Sequence, residues 1–279
     1  MSVSGAPIGL IAGNGVLPRL FADAARAQGR RVVALAHRGE TDGSLADRVD
    51  ALEWVRLGQL DRIVRLLRRH GVREAVLAGG IHRVRAFSEV RPDLGGFQVV
   101  ARLRSFRDDA LLRAVADYLE GKGIRVIAPT DFAPEVLAPE GPLVGQEPDA
   151  AARRDIALGI EVATQLGRAD VGQTVVVKNG HVLALEAIEG TDEAIRRGGR
   201  LGGRGAVVVK VAKPEQDARF DLPAVGEGTL RAMAEVGARL LAIEAGRTLL
   251  LDVPRLWQFA QKSGIAVFGA PVSRAPRAH

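Results

Sequence analysis

A short apolar run, Ile8–Ala12, passes directly into Gly13, Asn14 and Gly15 and then into residues 17–27, where apolar positions recur at helical spacing. Residues 31–36 are a second apolar run. Strand, glycine turn, helix and strand in that order make a βαβ unit, which requires a parallel sheet behind it. Residues 60–70 carry apolar side chains at 60, 63, 64, 66 and 67 and stop at Gly71, as a helix does. Residues 74–80 form another strand running into Gly79 and Gly80, residues 108–121 an amphipathic helix closed by Gly121 and Gly123, and residues 124–128 a last strand. The expected fold of residues 1–130 is therefore a Rossmann-like parallel sheet with helices.

Prolines at 129, 134, 139, 142 and 148 interrupt regular structure and mark residues 131–149 as a Pro-rich linker. Residues 150–279 read as a second, mixed α/β lobe. It opens with a helix over 150–167, followed by a hairpin in which residues 174–178 and 181–185 flank the two-residue turn Asn179-Gly180. Residues 198–205, rich in glycine, read as a flexible loop. A strand over 206–212 and a helix over 229–238 follow, and residues 240–268 alternate strand, helix and strand. At 279 residues, two lobes with a cleft between them are the expected organisation.

Composition removes several functions. The chain has no cysteine, which excludes disulfides, zinc–thiolate sites and thiol nucleophiles. Aromatic residues are 4% of the chain, which argues against a stacking platform for single-stranded nucleic acid. The net charge of +6 suits an anionic partner such as phosphate or an acidic membrane surface, and an Arg-rich genome would produce the same excess. No apolar run approaches the ~20 residues that span a bilayer. Residues 8–16 are short, broken by glycines and without a basic flank, so no signal peptide is expected and the protein should stay in the cytoplasm.

Chemistry-bearing residues fall in a few places. Gly13, Asn14 and Gly15 lie where a first strand hands over to a helix, a position suited to phosphate, although Pro18 replaces the third glycine of the dinucleotide fingerprint. A plain tight turn would look the same. Gly80, His82 and Arg83 follow a strand at the same sheet edge; Arg83 could clamp phosphate, while His82 reads more readily as a surface or packing histidine than as a catalyst. Asp108 and Asp109 begin a helix and read either as caps or as ligands of metal or water. Glu186, Glu189 and Asp192 surround Gly190 and Thr191 ahead of another helix, either as an N-cap or as hard oxygen donors. Lys210, Lys213 and Arg219 interleave with Asp217 and Asp221, the mixture that phosphoryl chemistry uses, and a solvated charged loop would share that pattern.

Five fragments together resemble the LpxI family of UDP-2,3-diacylglucosamine pyrophosphatases: residues 9–18 (GLIAGNGVLP), 108–113 (DDALLR), 170–174 (DVGQT), 186–192 (EAIEGTD) and 213–223 (KPEQDARFDLP). Arg107 stands where the family usually has glycine, and the stretch between Asp192 and Lys210 is shorter than in some relatives. The resemblance implies two α/β lobes with substrate held between them. It also implies hydrolysis of UDP-2,3-diacylglucosamine to UMP and 2,3-diacylglucosamine 1-phosphate in lipid A biosynthesis, with Mg²⁺, or Mn²⁺ as the alternative ion. On that expectation Asp221 and Lys213 are catalytic, and Asp221 and Asp192 hold the metal. Gly13, Asn14, Gly15, Gly80, Arg83, Asp108, Asp109, Gln173, Glu189, Gly190, Thr191, Lys210, Gln216 and Arg219 contact substrate. The expected partners are a lipid-bearing UDP-sugar, the cytoplasmic face of the inner membrane through peripheral contact, and a second copy in a homodimer, with no nucleic acid.

Two other classes fit parts of the pattern. An NAD(P)-dependent oxidoreductase would explain the opening βαβ unit, but His37 and Arg38 stand where an acidic residue should end the second strand. A non-enzymatic module binding anions or nucleic acid would explain the charge, but the few aromatics and the lack of a reading helix argue against it.

Overall fold

The computed structural model describes residues 5–81, 92–103 and 108–272. It divides into two compact units, one of Met1–Pro134 with Asp217–Asp221, the other of Glu135–Gln216 with Leu222–His279.

The first unit is built on a five-stranded parallel sheet with the order β3-β2-β1-β4-β5. Its strands are β1 (Ile8–Ala12), β2 (Val32–His37), β3 (Ala51–Val55), β4 (Glu74–Ala78) and β5 (Arg125–Val126). Helices α1 (Leu17–Ala27), α2 (Leu60–Arg69), α3 (Leu94–Arg102) and α4 (Asp108–Gly121) accompany it. The two faces of β1 and β2 enter separate cores. Ile8, Leu10, Val32 and Ala34 pack with Phe21 of α1, while Ile11, Val33 and Leu35 pack with Ile63 and Leu67 of α2 and Leu119 of α4. Strands buried on both faces read as continuous apolar runs, which is why β1 and β2 are evident in the sequence. β3 is not evident: it is an edge strand of intermediate burial with Glu53 at its centre, and its apolar signal is correspondingly weak. Helix α3 was not expected either.

The second unit is a six-stranded mixed sheet with the order β6-β13-β11-β9-β7-β8. The strands are β6 (Gly141–Val144), β7 (Thr174–Lys178), β8 (His181–Leu185), β9 (Val207–Lys210), β11 (Leu240–Glu244) and β13 (Ala266–Ala270). β9, β11 and β13 run parallel, and β6 and β7 lie antiparallel to their neighbours. β10 (Ala224–Val225) and β12 (Leu249–Leu250) make a separate parallel pair. Helices α5 (Ala150–Arg168), α6 (Thr191–Gly202), α7 (Glu227–Val236) and α8 (Val253–Ser263) cover the sheet.

The β7–β8 hairpin turns through Asn179 (φ 51°) and Gly180 (φ 76°), both left-handed as a two-residue turn of this kind requires. Asp155 of α5 accepts from both turn amides, at 3.0 and 2.7 Å.

Two expectations are corrected. Residues 198–202 are not a flexible loop but the last turns of α6. Gly198 and Gly199 are buried there because a Cβ on either would meet Val176 at 2.7 Å or Val236 at 2.2 Å, so the glycines serve close packing. Within the Pro-rich stretch, Gly141–Val144 forms β6, and Pro142 is tolerated because β6 is an edge strand.

Candidate functional site

In the first unit the strand order reverses at β1, so the switch point lies between β1 and β4, where ligands settle outside the strands' carboxyl ends. Both glycine pairs are placed there. Asn14 and Gly80 exchange backbone hydrogen bonds, Asn14 N to Gly80 O at 2.8 Å and Gly80 N to Asn14 O at 3.2 Å. The approach is so close that a Cβ on Gly13 would stand 2.2 Å from the Gly80 oxygen. Gly15 and Gly79 take left-handed φ values of 85° and 91°. The tight-turn reading of these glycines is what the geometry shows, and the turn sits at the switch point.

Residues past β2 complete this edge. The Ala12 carbonyl accepts from Thr41 Oγ1 at 2.6 Å and from His37 Nδ1 at 2.9 Å. Burial holds the His37 pKa below the ordinary value, against the opposing pull of the Ala12 carbonyl and Glu40. Glu40 is buried and accepts from Asn14 Nδ2 at 2.9 Å. An acidic residue thus does stand just beyond β2, three positions after the strand's last residue, which places it out of register with a search at the strand end.

His82 and Arg83 lie outside the described residues. Asp108 and Asp109 open α4. The segment Asp217–Asp221 belongs to this unit, with Phe220 packed against the α2–α4 core. Arg219 donates through Nη2 to Asp217 Oδ2 at 2.8 Å and through Nη1 to Glu120 Oε1 at 3.0 Å. Its hydrogen bonds hold the Asp217 carboxyl below the usual carboxylate range. Asp221 is half-buried, and its amide closes the turn onto the Asp217 carbonyl at 2.9 Å.

In the second unit one sheet edge gathers the carboxyl ends of β8, β9 and β11 and the start of β7. Lys210 ends β9 with only 6% of its surface exposed. Its Nζ donates to the Ala224 carbonyl at 3.0 Å and to Thr191 Oγ1 at 3.3 Å, and Thr191 Oγ1 donates onward to Glu186 Oε1 at 2.9 Å. Desolvation pushes the Lys210 pKa down, while Glu186 and Asp192 draw it up. Thr191 was expected either to cap α6 or to bind ligand. The cap position is Gly190, at φ 84° with no side-chain cap bond, so the cap reading does not hold; the Thr191 hydroxyl joins the lysine–glutamate chain.

Gly172 makes this edge compact, since a Cβ there would meet the Glu186 carbonyl oxygen at 2.2 Å. Gln173 N donates to Glu186 Oε2 at 3.3 Å, and Gln173 Oε1 is buried without a hydrogen-bond partner among the described residues. Glu189 pairs with Arg197. Lys213 Nζ contacts Asp170 at 2.7 Å, its amide donates to Gln216 Oε1 at 3.0 Å, and Gln216 is itself buried. Glu244, buried at the end of β11, accepts from Ala212 N at 2.7 Å and was not singled out in the sequence, where it reads only as the last letter of an apolar run. The fragments 170–174, 186–192 and 213–216, whose contacting pair Asp170 and Lys213 is 43 residues apart, are thus neighbours along one edge.

A doubly wound sheet with glycine loops at its switch point, and a mixed sheet whose strand ends collect lysines, threonines and carboxylates, define a two-unit α/β enzyme. The chain belongs to the LpxI family: the LpxI N-terminal domain matches residues 7–136 and the LpxI C-terminal domain residues 139–268. It is 35% identical over 280 residues to the UDP-2,3-diacylglucosamine pyrophosphatase LpxI of Caulobacter vibrioides, an alignment covering 96% of this chain and 99% of that protein.

Proposed function

We propose that this enzyme hydrolyses UDP-2,3-diacylglucosamine to UMP and 2,3-diacylglucosamine 1-phosphate by attack of water on the phosphorus next to uridine. The observation that carries the reading is the end-to-end similarity to a relative named for that substrate. On this reading residues 1–130 bind the nucleotide-sugar and residues 150–279, Asp221 among them, supply catalysis.

The donor set suits a hard cation, since the candidate ligands Asp221 and Asp192 are carboxylates and the chain has no cysteine. Among the described residues no cluster of three or more His, Asp or Glu could hold a metal ion. Mg²⁺ is usually held by one or two carboxylates completed by water and substrate phosphate oxygens. Bound there, Mg²⁺ or Mn²⁺ would offset phosphate charge and acidify water. On the alternative reading Asp221 serves as the general base that takes a proton from the attacking water. Lys213 and Lys210 oppose the negative charge that grows on the phosphoryl oxygens, and Gln173 offers a buried acceptor to a substrate hydroxyl or amide. The glycine loop lies at the switch point, beside the N-terminus of α1, a position that favours phosphate.

No helix among the described residues is long and apolar enough to cross a membrane. The +6 net charge supports collection of a lipid-bearing substrate by peripheral contact with the cytoplasmic face of the inner membrane, whose leaflet is anionic. A homodimer is proposed on the family resemblance alone.

UMP release from UDP-2,3-diacylglucosamine by purified protein, with and without Mg²⁺ and beside Asp221→Ala, tests the proposal. Metal-dependent release that collapses in the variant is the expected result. A wild type that releases no UMP under either condition overturns it.

A further inference from the structure

The ends of β2 and β3 hold a concavity whose lining does not include the glycine loop. Arg38 directly follows β2, Trp54 and Arg56 bracket the end of β3, and Gln59 and Arg62 lie at the start of α2; together they line a pocket of about 290 Å³. That volume lies at the small end of the range for small-molecule sites. Its floor is held in place: Gln59 Oε1 accepts from Arg56 N at 3.0 Å, and Arg62 Nη2 donates to the Trp54 carbonyl at 3.3 Å. The Arg38 guanidinium carbon stands 6.0 Å from the centroid of the half-buried Trp54 ring.

The charges here are arranged differently from those on neighbouring elements. Arg19, Arg48 and Arg69 each face a carboxylate, of Asp42, Asp23 and Glu53 respectively. Among the described residues, the guanidinium groups of Arg38, Arg56 and Arg62 face none, and Glu53, next to Trp54 in the chain, is engaged by Arg69. Three guanidinium groups without a carboxylate beside an indole make a site for phosphate oxygens, which arginine grips through paired N–H groups, joined to a flat ring that stacks on the aromatic face.

We propose that this pocket binds a nucleoside phosphate, with the base against Trp54 and the phosphate held by Arg38, Arg56 and Arg62. Its place in the fold supports that chemistry. It opens at the carboxyl ends of parallel strands, on the same edge as the glycine loop after β1. Two inter-strand spacings, about 10 Å, separate the end of β1 from the end of β3, a distance a nucleotide spans. Buried Glu40 lies past the end of β2, between the two, where it can accept from a ribose hydroxyl. The nucleotide is either the end of a UDP-sugar or a free molecule, and binding is read without reliance on the reaction proposed above.

The test titrates the full chain with UMP, AMP and inorganic phosphate, following tryptophan fluorescence and binding heat, in wild type, Trp54→Phe and Arg38→Gln/Arg56→Gln. Both nucleotides should bind and quench, Trp54→Phe should lose most of the quench, and the double variant should bind at least tenfold more weakly at an unchanged melting temperature. If the double variant unfolds, Arg56→Lys, which keeps the charge but not the planar fork, should still show a several-fold loss. A KM for UDP-2,3-diacylglucosamine that rises with the loss of nucleotide affinity assigns the pocket to the substrate's own nucleotide; an unchanged KM assigns it to a free one. The proposal is overturned if neither nucleotide binds the wild type, if the arginine variants bind as tightly as wild type, or if inorganic phosphate binds as tightly as the nucleotides.

Discussion

Lys210 Nζ lies 3.3 Å from Thr191 Oγ1, and that hydroxyl hands its own proton to Glu186, so a buried cation and a buried carboxylate are coupled through one threonine. A lysine so enclosed loses hydration that its partners only partly replace, and its pKa falls below the ordinary value. Between the lowered folded value and the ordinary lysine value of about 10.4, the unfolded chain holds a proton that the folded chain has released. Stability therefore rises with pH across that window. Urea unfolding at a series of alkaline pH values should show wild type gaining on Lys210→Met as pH climbs, starting from a deficit for the variant of about 1–3 kcal/mol near neutrality, where Glu186 and Thr191 have lost their partner. Parallel stability curves for the two proteins across the alkaline range would show that Lys210 is not desolvated as described.

Gln173 presents a different imbalance. Its Oε1 is buried with no partner among the described residues, and a buried acceptor left unpaired is a standing loss of about 1–3 kcal/mol. Gln173→Leu removes that loss at similar volume and should leave the melting temperature unchanged or raised. If the oxygen is kept for substrate, the same variant should raise KM about tenfold, the equivalent of one hydrogen bond of about 1.4 kcal/mol. A variant that melts lower with KM unchanged would assign Gln173 to packing.

His37 couples the glycine loop to acid stability. Its ring is buried and donates from Nδ1 to the Ala12 carbonyl, and burial keeps its pKa below the ordinary histidine value of about 6.5. As pH falls through that value the unfolded chain takes up a proton that the folded chain refuses, so stability falls with decreasing pH. His37→Asn keeps a donor near the Nδ1 position and removes the titration. Thermal melts between pH 7.5 and 5 should therefore fall less steeply for the variant; equal slopes would mean that His37 titrates alike in both states.

How much of this was legible beforehand depended on which physical signal each residue left. β1, β2 and β4 were evident because strands covered on both faces are continuously apolar. The hairpin was evident because Asn179-Gly180 has few other uses. Gly198 and Gly199 misled because glycine that flexes and glycine that admits a neighbouring valine look alike until Val176 and Val236 are in place. Glu40 and Glu244 were missed because neither sits in a motif; each becomes notable only when burial and its partner, Asn14 Nδ2 or Ala212 N, are known. The gathering of residues 170–174, 186–192 and 213–216 follows from the antiparallel pairing of β7 with β8 and β9, a tertiary fact that no local pattern encodes.

Arg219 can act in either of two ways, and kinetics separates them. It was expected to contact substrate, yet its guanidinium bridges Asp217 and Glu120, fixing the turn that carries Asp221 two residues later. Both partners of the Glu120 contact are about a third exposed, so solvent screening limits the direct effect on stability to under about 1 kcal/mol. The effect on catalysis can be larger, because a displaced catalytic group slows the reaction far more than it destabilises the fold. If the bridge positions Asp221, Arg219→Gln and Glu120→Gln should each lower kcat about tenfold with little change in KM, and the double variant should fall no further than either single one. If Arg219 instead grips the diphosphate, its variant alone should raise KM, and Glu120→Gln should behave as wild type. The two patterns share no outcome, so one double-mutant cycle on kcat and KM decides which role the guanidinium holds.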